Sequence, residues 1–200
     1  MAWNHYYIFV KGAKSLDLAD VLSRLNLSDY KPAQETTLSY ANKPTTLFAG
    51  FHNGNLLLVH QDLVIKFFGP EQSEEETLFV QTFPDAEIAV LIINESVGLF
   101  SYAIIKNGKK IRMKDGCDGN IYNDSGDPLP EELEILSEKI FMEEEIEEMG
   151  ENGLSDQEIA DTIKFEASYR VPNRLTKRNL GETVLKIDPD RVKLTKYIKV

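Results

Sequence analysis

The chain has 200 residues, of which 42% are hydrophobic, and its formal net charge is −11. This length and apolar content suffice for one sizeable core, so we predict a single domain without bulk disorder. The acidic excess argues against nucleic-acid partners and anionic lipid, because both present negative charge. No apolar run approaches the roughly 20 residues of a membrane span and no leader pattern opens the sequence, so we expect a cytoplasmic protein without a membrane partner.

The N-terminal part predicts one strand and one helix. Residues 6–10 have the aromatic and β-branched composition of a strand. After Ser15 the apolar residues recur at helical spacing, which predicts a helix near 16–26. Residues 26–44 are polar and contain two prolines, so we assign them to connecting structure and leave open a short strand at 36–40.

The middle of the chain predicts two β-hairpins and a second helix. Asn53-Gly54 and Asn107-Gly108 each separate two β-rich runs, as two-residue hairpin turns do. Ser73 and Glu76 form a capping box that predicts a helix over 73–83. The predicted strands are 45–51, 55–60, 63–68, 88–93, 99–106 and 109–113, of which 88–93 is apolar throughout and typical of a central strand.

Beyond residue 113 the pattern changes to a loop followed by helices. Turn-forming residues dominate 115–127, which predicts a long loop. Pro130 begins a predicted helix over 130–150. The capping box of Ser155 and Glu158 begins another, through about residue 168.

The last 30 residues predict strands. Pro172 lies beyond the last predicted helix. Two strands are expected at 183–187 and 191–200. Lys196 interrupts the apolar face of the last strand, which places that strand at an edge or near solvent.

Together these elements predict an α+β fold. We expect a largely antiparallel sheet of about seven strands with two helices against it, and a C-terminal helical pair plus terminal strands. Helices alternate with hairpins rather than with single strands, which argues against a doubly wound parallel fold. Within one domain of residues 1–200 we expect a core at 1–127. An acidic helical region at 128–169 and a basic segment at 170–200 form an appendage.

The predicted loop carries oxygen ligands, which raises the question of a metal site. The candidate ligands are Asp118, Asn120, Asp124 and Asp127. Aligning Gly119 with the sixth position of an EF-hand loop leaves three ligand positions without a suitable oxygen. We therefore predict a surface loop whose side chains bond their own backbone, with no metal and no cofactor.

Cys117, the one cysteine, excludes an intrachain disulfide and is the one candidate thiol nucleophile. It would need His5, His52 or His60 nearby as a base, and sequence alone does not show such proximity. None of the local signatures of cysteine hydrolases surrounds it, and no Walker A, G-x-S-x-G or G-x-G-x-x-G motif is present. We nominate no catalytic residue and interpret Cys117 as an incidental thiol.

Charge is distributed unevenly along the chain. Residues 170–200 carry nine Lys or Arg against three acidic residues, a net of +6, which leaves −17 for residues 1–169. Residues 131–151 contain ten glutamates, more than the solvation of one helix face needs, since like charges at i,i+4 destabilise a helix. We predict that four of these residues form a surface for a basic protein partner: Glu143, Glu144, Glu147 and Glu148. Two alternatives stay open: a solvated surface helix without a partner, and internal neutralisation by the basic C-terminal segment.

A short passage resembles a known sequence pattern. It follows a predicted strand that contains Arg112, and it runs through Asp118, Gly119, Asp124 and Gly126 to Pro128-Leu129-Pro130-Glu131. This passage resembles a segment that recurs in uncharacterised bacterial proteins, some of them near polymorphic-toxin immunity proteins. The resemblance covers residues 112–132, implies a small cytoplasmic bacterial protein, and carries over no catalytic residue.

Two functions remain open at this stage. The first, favoured by the charge distribution and the missing catalytic motifs, is a non-enzymatic, immunity-like interaction module with an acidic binding face. The second is an enzyme or small-molecule-binding protein, with a cleft lined by the loop around Cys117 and by Tyr102 and Tyr122.

Overall fold

In a computed structural model, residues 4–13, 16–41, 43 and 45–200 are described. Over these residues the chain forms one nine-stranded sheet and six α-helices. The strands are β1 (Asn4–Val10), β2 (Tyr30–Thr37), β3 (Leu47–His52), β4 (Asn55–Val59), β5 (Ile88–Asn94), β6 (Leu99–Lys106), β7 (Lys109–Cys117), β8 (Asn120–Gly126) and β9 (Lys193–Lys199). The helices are α1 (Leu18–Arg24), α2 (Gln61–Ile65), α3 (Glu74–Thr82), α4 (Pro130–Leu136), α5 (Glu143–Glu151) and α6 (Asp156–Leu180).

The sheet order is β2-β9-β3-β4-β1-β5-β6-β7-β8, and every neighbouring pair is antiparallel. The α+β class and the antiparallel sheet are thus confirmed, but the expected number of about seven strands is too low. The predicted hairpin turns at Asn53-Gly54 and Asn107-Gly108 are present, with positive φ at all four residues. The Ser73 cap is present too, since its hydroxyl accepts a hydrogen bond from the Glu76 amide at 3.0 Å.

Both faces of the sheet are covered, which explains the unbroken apolar run in β5. One face packs against α1, α2 and α3, and the other packs against α4, α6 and the segment that leads to β9. Alternate residues of each central strand enter opposite cores: Ile8 and Val90 lie on the first side, and Tyr7 and Leu91 on the second. A strand between two apolar layers has no face that needs polar residues.

Two segments assigned to coil or loop are strands at the two edges of the sheet. Residues 26–44 contain β2, and the predicted loop 115–127 is the end of β7 together with β8. Asp118 and Gly119 form the turn between β7 and β8, and both have positive φ, as a tight hairpin turn requires. Edge strands expose most of their residues and tolerate polar composition, so their sequences resemble loops. Pro44 and Ser15, used in the predictions above, lie outside the described residues.

The predicted strand at 63–68 is instead helix α2 followed by a single 3₁₀ turn. Its buried apolar residues, Leu63, Val64 and Phe67, follow helical spacing rather than the alternation of a strand, and Ile65 is exposed. His60 caps the helix, because its Nδ1 accepts a hydrogen bond from the Leu63 amide at 3.2 Å.

The C-terminal helices differ from the prediction in two ways. The helix predicted over 130–150 is two helices, α4 and α5, separated by residues 137–142. The helix that begins at the confirmed Ser155 capping box continues past Pro172 to Leu180. Pro172 removes one backbone hydrogen bond, at a cost of about 3 kcal/mol in a helix interior. Burial of Val171 and Leu175 in the core offsets that cost.

The end of the chain was also mispredicted. Residues 183–187 form a turn, in which the amide of Ile187 donates to the carbonyl of Thr183 at 2.9 Å, so no strand forms there. Strand β9 is present but does not lie at an edge, because β2 pairs with one side of it and β3 with the other. Lys196 is half-buried in this inserted strand. The division into a core at 1–127 and an appendage stays a prediction.

Candidate functional site

The described residues carry their densest group of buried charges on the β7–β8 hairpin. Arg112 and Lys114 are two residues apart on β7, so both point to the sheet face that α4 and α6 cover. Asp124 of β8 is the cross-strand neighbour of Lys114. Glu132 approaches from α4 and Lys164 from α6, which completes a cluster between the hairpin and the two helices.

Arg112 and Glu132 form the structural centre of this cluster. The guanidinium Nε and Nη2 donate to the two carboxylate oxygens of Glu132, each at 2.7 Å. Nη1 donates to the carbonyls of Ser125 and Gly126 at 2.9 and 3.0 Å. Glu132 Oε1 also accepts from the Leu129 amide at 3.1 Å. Both charged groups are buried and fully engaged, so this pair joins α4 to the hairpin and offers nothing further to a ligand.

Asp124 is held by three cations. Its Oδ1 lies 2.7 Å from Arg112 Nη2, and its Oδ2 lies 3.2 Å from Lys114 Nζ and 3.4 Å from Lys164 Nζ. Burial alone would raise the pKa of the Asp124 carboxyl, but the hydrogen bond from Arg112 and the charge of Lys114 hold it below its ordinary value. The carboxylate is therefore ionised at neutral pH.

Lys114 is the buried residue of this cluster whose hydrogen-bond donors are not all used. Its side chain is only 6% exposed, and its ammonium group has three N–H donors. Among the described residues Asp124 is its one ion-pair partner, and Lys114 also lines a cleft. Burial lowers the pKa of Lys114 below its ordinary value, although Asp124 opposes that effect. A buried ammonium with unused donors favours a negatively charged or strongly polar neighbour.

The cleft beside Lys114 has a volume of about 170 Å³. Its charged end is the cluster just described, and its walls are predominantly apolar. Those walls come from the hairpin end, α4 and α6: Gly126, Pro128, Leu136, Ala167, Ser168 and Val171. Leu136 stands at the mouth, where it is 56% exposed. An apolar cleft with converging polar groups at one end is the usual form of a small-molecule site.

From the sequence we predicted a cleft lined by the loop around Cys117 and by Tyr102 and Tyr122, but the cleft in the structure has other lining residues. Tyr102 is fully buried below Arg112, whose guanidinium carbon lies 5.9 Å from the ring centre. Tyr122 is exposed on β8, and neither it nor Cys117 lines the cleft. Sequence reasoning missed Lys114, Glu132 and Lys164. The spacing of Arg112 and Lys114 on one face of a strand was the available signal.

The four candidate metal ligands are not gathered around one point. Asp118 lies in the hairpin turn, Asn120 begins β8, Asp124 pairs with cations, and Asp127 is exposed before α4. Among the described residues, no group of three or more His, Cys, Asp or Glu side chains is placed to hold a metal ion. The side-chain amide of Asn120 donates to the carbonyl of Asp118 at 3.0 Å, as in the predicted local bonding of turn residues.

Cys117 lies several strands away from each of the three histidines. Cys117 ends β7, and its Sγ donates to the Val97 carbonyl at 3.1 Å. His5 is on β1, in the same cross-strand row as Gly116 but three strands away, about 14 Å at normal strand spacing. His52 and His60 lie beyond β1 from this hairpin. The incidental-thiol interpretation of Cys117 stays a prediction.

The four glutamates predicted to bind a partner lie on α5, and all four are exposed. In the described part of the chain their one ion pair is Glu143 with Lys139, at 3.1 Å. Two of the three arginines of α6 pair with other glutamates. Arg174 contacts Glu134 and Glu138, and Arg178 contacts Glu87 and Glu131.

Comparison with known proteins places the chain in a family without assigning a function. The fold and the cleft define an α+β protein with a fully antiparallel nine-stranded sheet. A small cleft with charged residues at one end lies beside the β7–β8 edge of that sheet. Residues 17–149 match a model described as "Family of unknown function (DUF6928)", and the chain belongs to that family. No curated protein matches the chain, and neither does any solved structure.

The family match includes most of the charged cluster. Arg112, Lys114, Asp124 and Glu132 lie within the matched residues, whereas Lys164 lies beyond them. Nothing in the family description links the chain to immunity proteins. In the part of the chain that the structure describes, no helix combines the length and apolar character needed to cross a bilayer.

Proposed function

We propose that the protein binds a small molecule in the cleft between the β7–β8 hairpin, α4 and α6. The observation that carries this proposal is the buried Lys114 ammonium, which has unused donors at the end of an apolar cleft. The Arg112–Glu132 pair supports it by holding the walls together, since it ties α4 to the hairpin. Preorganised walls lower the entropy cost of binding.

Closing the mouth of the cleft tests this function. Leu136 and Leu133 are both on α4 and are 56% and 57% exposed, but only Leu136 lines the cleft. We expect Leu136→Trp to abolish binding by filling the entrance, and Leu133→Trp to leave it unchanged. Saturation-transfer NMR with a set of anionic, neutral and cationic fragments measures this. If no fragment binds the wild type, or if Leu136→Trp leaves binding intact, the proposal is wrong.

A second candidate function is protein interaction through the acidic surface of α5, defined as Glu143, Glu144, Glu147 and Glu148. The observation that favours it is that these carboxylates face solvent while Arg174 and Arg178 pair with other glutamates. A concentrated negative surface accelerates association with a basic partner and makes binding fall with salt. An immunity-like role, with a basic toxin as the partner, is one form of this function. It assumes a reducing, cytoplasmic setting, which agrees with the single cysteine.

Charge reversal tests the acidic surface. Replacing Glu143, Glu144, Glu147 and Glu148 together by lysine is expected to leave the melting temperature near that of the wild type and to abolish salt-sensitive binding of an arginine-rich probe peptide. The matched control reverses four exposed acidic residues elsewhere: Glu35, Glu71, Asp85 and Glu182. If both variants lose the peptide equally, net charge alone explains its binding. A large drop in melting temperature for the α5 variant alone indicates internal pairing instead.

A further inference from the structure

We infer that the ligand of the cleft is a short aliphatic monocarboxylate whose head group binds Lys114. The chain of the ligand lies against Leu136, Ala167 and Val171. This inference rests on the small-molecule function proposed above and adds the chemical class of the ligand.

The net charge of the cleft favours a ligand with one negative charge. The residues around the cleft carry three cations, Arg112, Lys114 and Lys164, and two carboxylates, Asp124 and Glu132. One negative group therefore neutralises the site. A second would be repelled by the two resident carboxylates at short range and low effective dielectric. The balance selects a monoanion over a dicarboxylate.

The hydrogen-bond donors that the cleft offers to a ligand come from Lys114 rather than from Arg112. Arg112 directs its nitrogens to Glu132, Asp124 and two backbone carbonyls, so it has no planar fork to offer a ligand. Lys114 instead presents a point charge with donors left over from its 3.2 Å contact to Asp124. Phosphate groups favour clusters of arginines or of backbone amides. A single buried ammonium matches one carboxylate, with which it forms a strong charge-assisted hydrogen bond.

The small volume of the cleft favours a short ligand. The cleft volume of about 170 Å³ is below the roughly 300 Å³ at which drug-sized ligand sites begin. A carboxylate with a short aliphatic chain suits a cleft of this size. Its methylenes gain favourable burial against the apolar walls.

Butyrate and butyramide separate the head-group chemistry from the shape, since they have nearly the same size. We expect the wild type to bind butyrate at least about tenfold more tightly than butyramide in ligand-observed NMR titrations. Lys114→Met, which keeps the chain length and removes the charge, is expected to reduce this ratio to about one while butyramide still binds. Lys139→Met, the control, removes a half-exposed lysine that does not line the cleft, and it is expected to change butyrate binding by less than about twofold.

The outcomes distinguish this inference from the proposed function. If butyramide binds the wild type as well as butyrate does, and Leu136→Trp blocks both, the carboxylate inference is overturned and the cleft still binds ligands. Tighter binding of succinate than of butyrate also overturns it. If no fragment of any charge binds, the proposed function itself fails. Should Lys114→Met not fold, the comparison of butyrate with butyramide in the wild type decides alone.

Discussion

Replacing Arg112 by methionine is expected to lower the free energy of unfolding by about 3–5 kcal/mol. The side chain is buried and makes both hydrogen bonds to Glu132, so its removal leaves a buried carboxylate without its counter-ion. It also deprives Asp124 of its 2.7 Å contact and two backbone carbonyls of their donor. Urea denaturation at neutral pH, followed by circular dichroism, measures this loss.

Two further variants show whether burial is the cause. Arg112→Met combined with Glu132→Met removes both charges, so most of the stability should return, since apolar replacement of a buried pair is often close to neutral. Arg24→Met breaks an exposed pair with Asp20, and it should change stability by less than about 1 kcal/mol. A loss for Arg112→Met no larger than that for Arg24→Met would contradict the structural role given to the buried pair.

Acidification is expected to destabilise the protein through His5. Burial lowers the pKa of His5 from 6.5 to about 4. Between these two values the unfolded chain binds a proton that the folded protein does not, so the free energy of unfolding decreases as the pH falls through this window. The full difference corresponds to about 3 kcal/mol, reached near pH 4 and absent above the unfolded pKa.

The comparison with His5→Phe isolates this contribution. Phenylalanine keeps an aromatic ring against Tyr7, whose ring centre lies 5.0 Å from that of His5, and it does not titrate. The free energy of unfolding should therefore fall about 3 kcal/mol less in His5→Phe than in the wild type between about pH 7 and pH 4. Burial also lowers the pKa of His60, but that residue is present in both proteins and cancels. Equal losses in the two proteins would show that His5 does not resist protonation in the fold.

Local interactions made several elements predictable. Ser73 and Ser155 cap their helices through groups three residues away, and the two Asn-Gly turns need positive φ that few other residues adopt. The apolar run of β5 predicted its central position, because only a strand covered on both faces can be apolar throughout. Each of these signals lies within a few residues of the structure that it specifies.

Elements that depend on distant partners were mispredicted. Strand β8 has a loop-like composition and forms because β7 supplies its hydrogen bonds. Helix α6 continues through Pro172 because its flanking residues are buried against the sheet. Lys196 suggested an edge, but β2 covers that side of β9 from a segment more than 150 residues earlier in the chain. In each case tertiary packing outweighed local propensity.

The sequence alone determined the α+β class, the antiparallel hairpins and the acidic character of α5, because these follow from periodicity, turn chemistry and composition. Only the tertiary structure decided where the cleft lies. Its charged residues come from β7, β8, α4 and α6, and Arg112 and Lys164 lie 52 positions apart in the chain. No local pattern encodes that juxtaposition. It arises because antiparallel pairing aligns Lys114 with Asp124 and because α4 and α6 pack on this face of the sheet and bury Lys114.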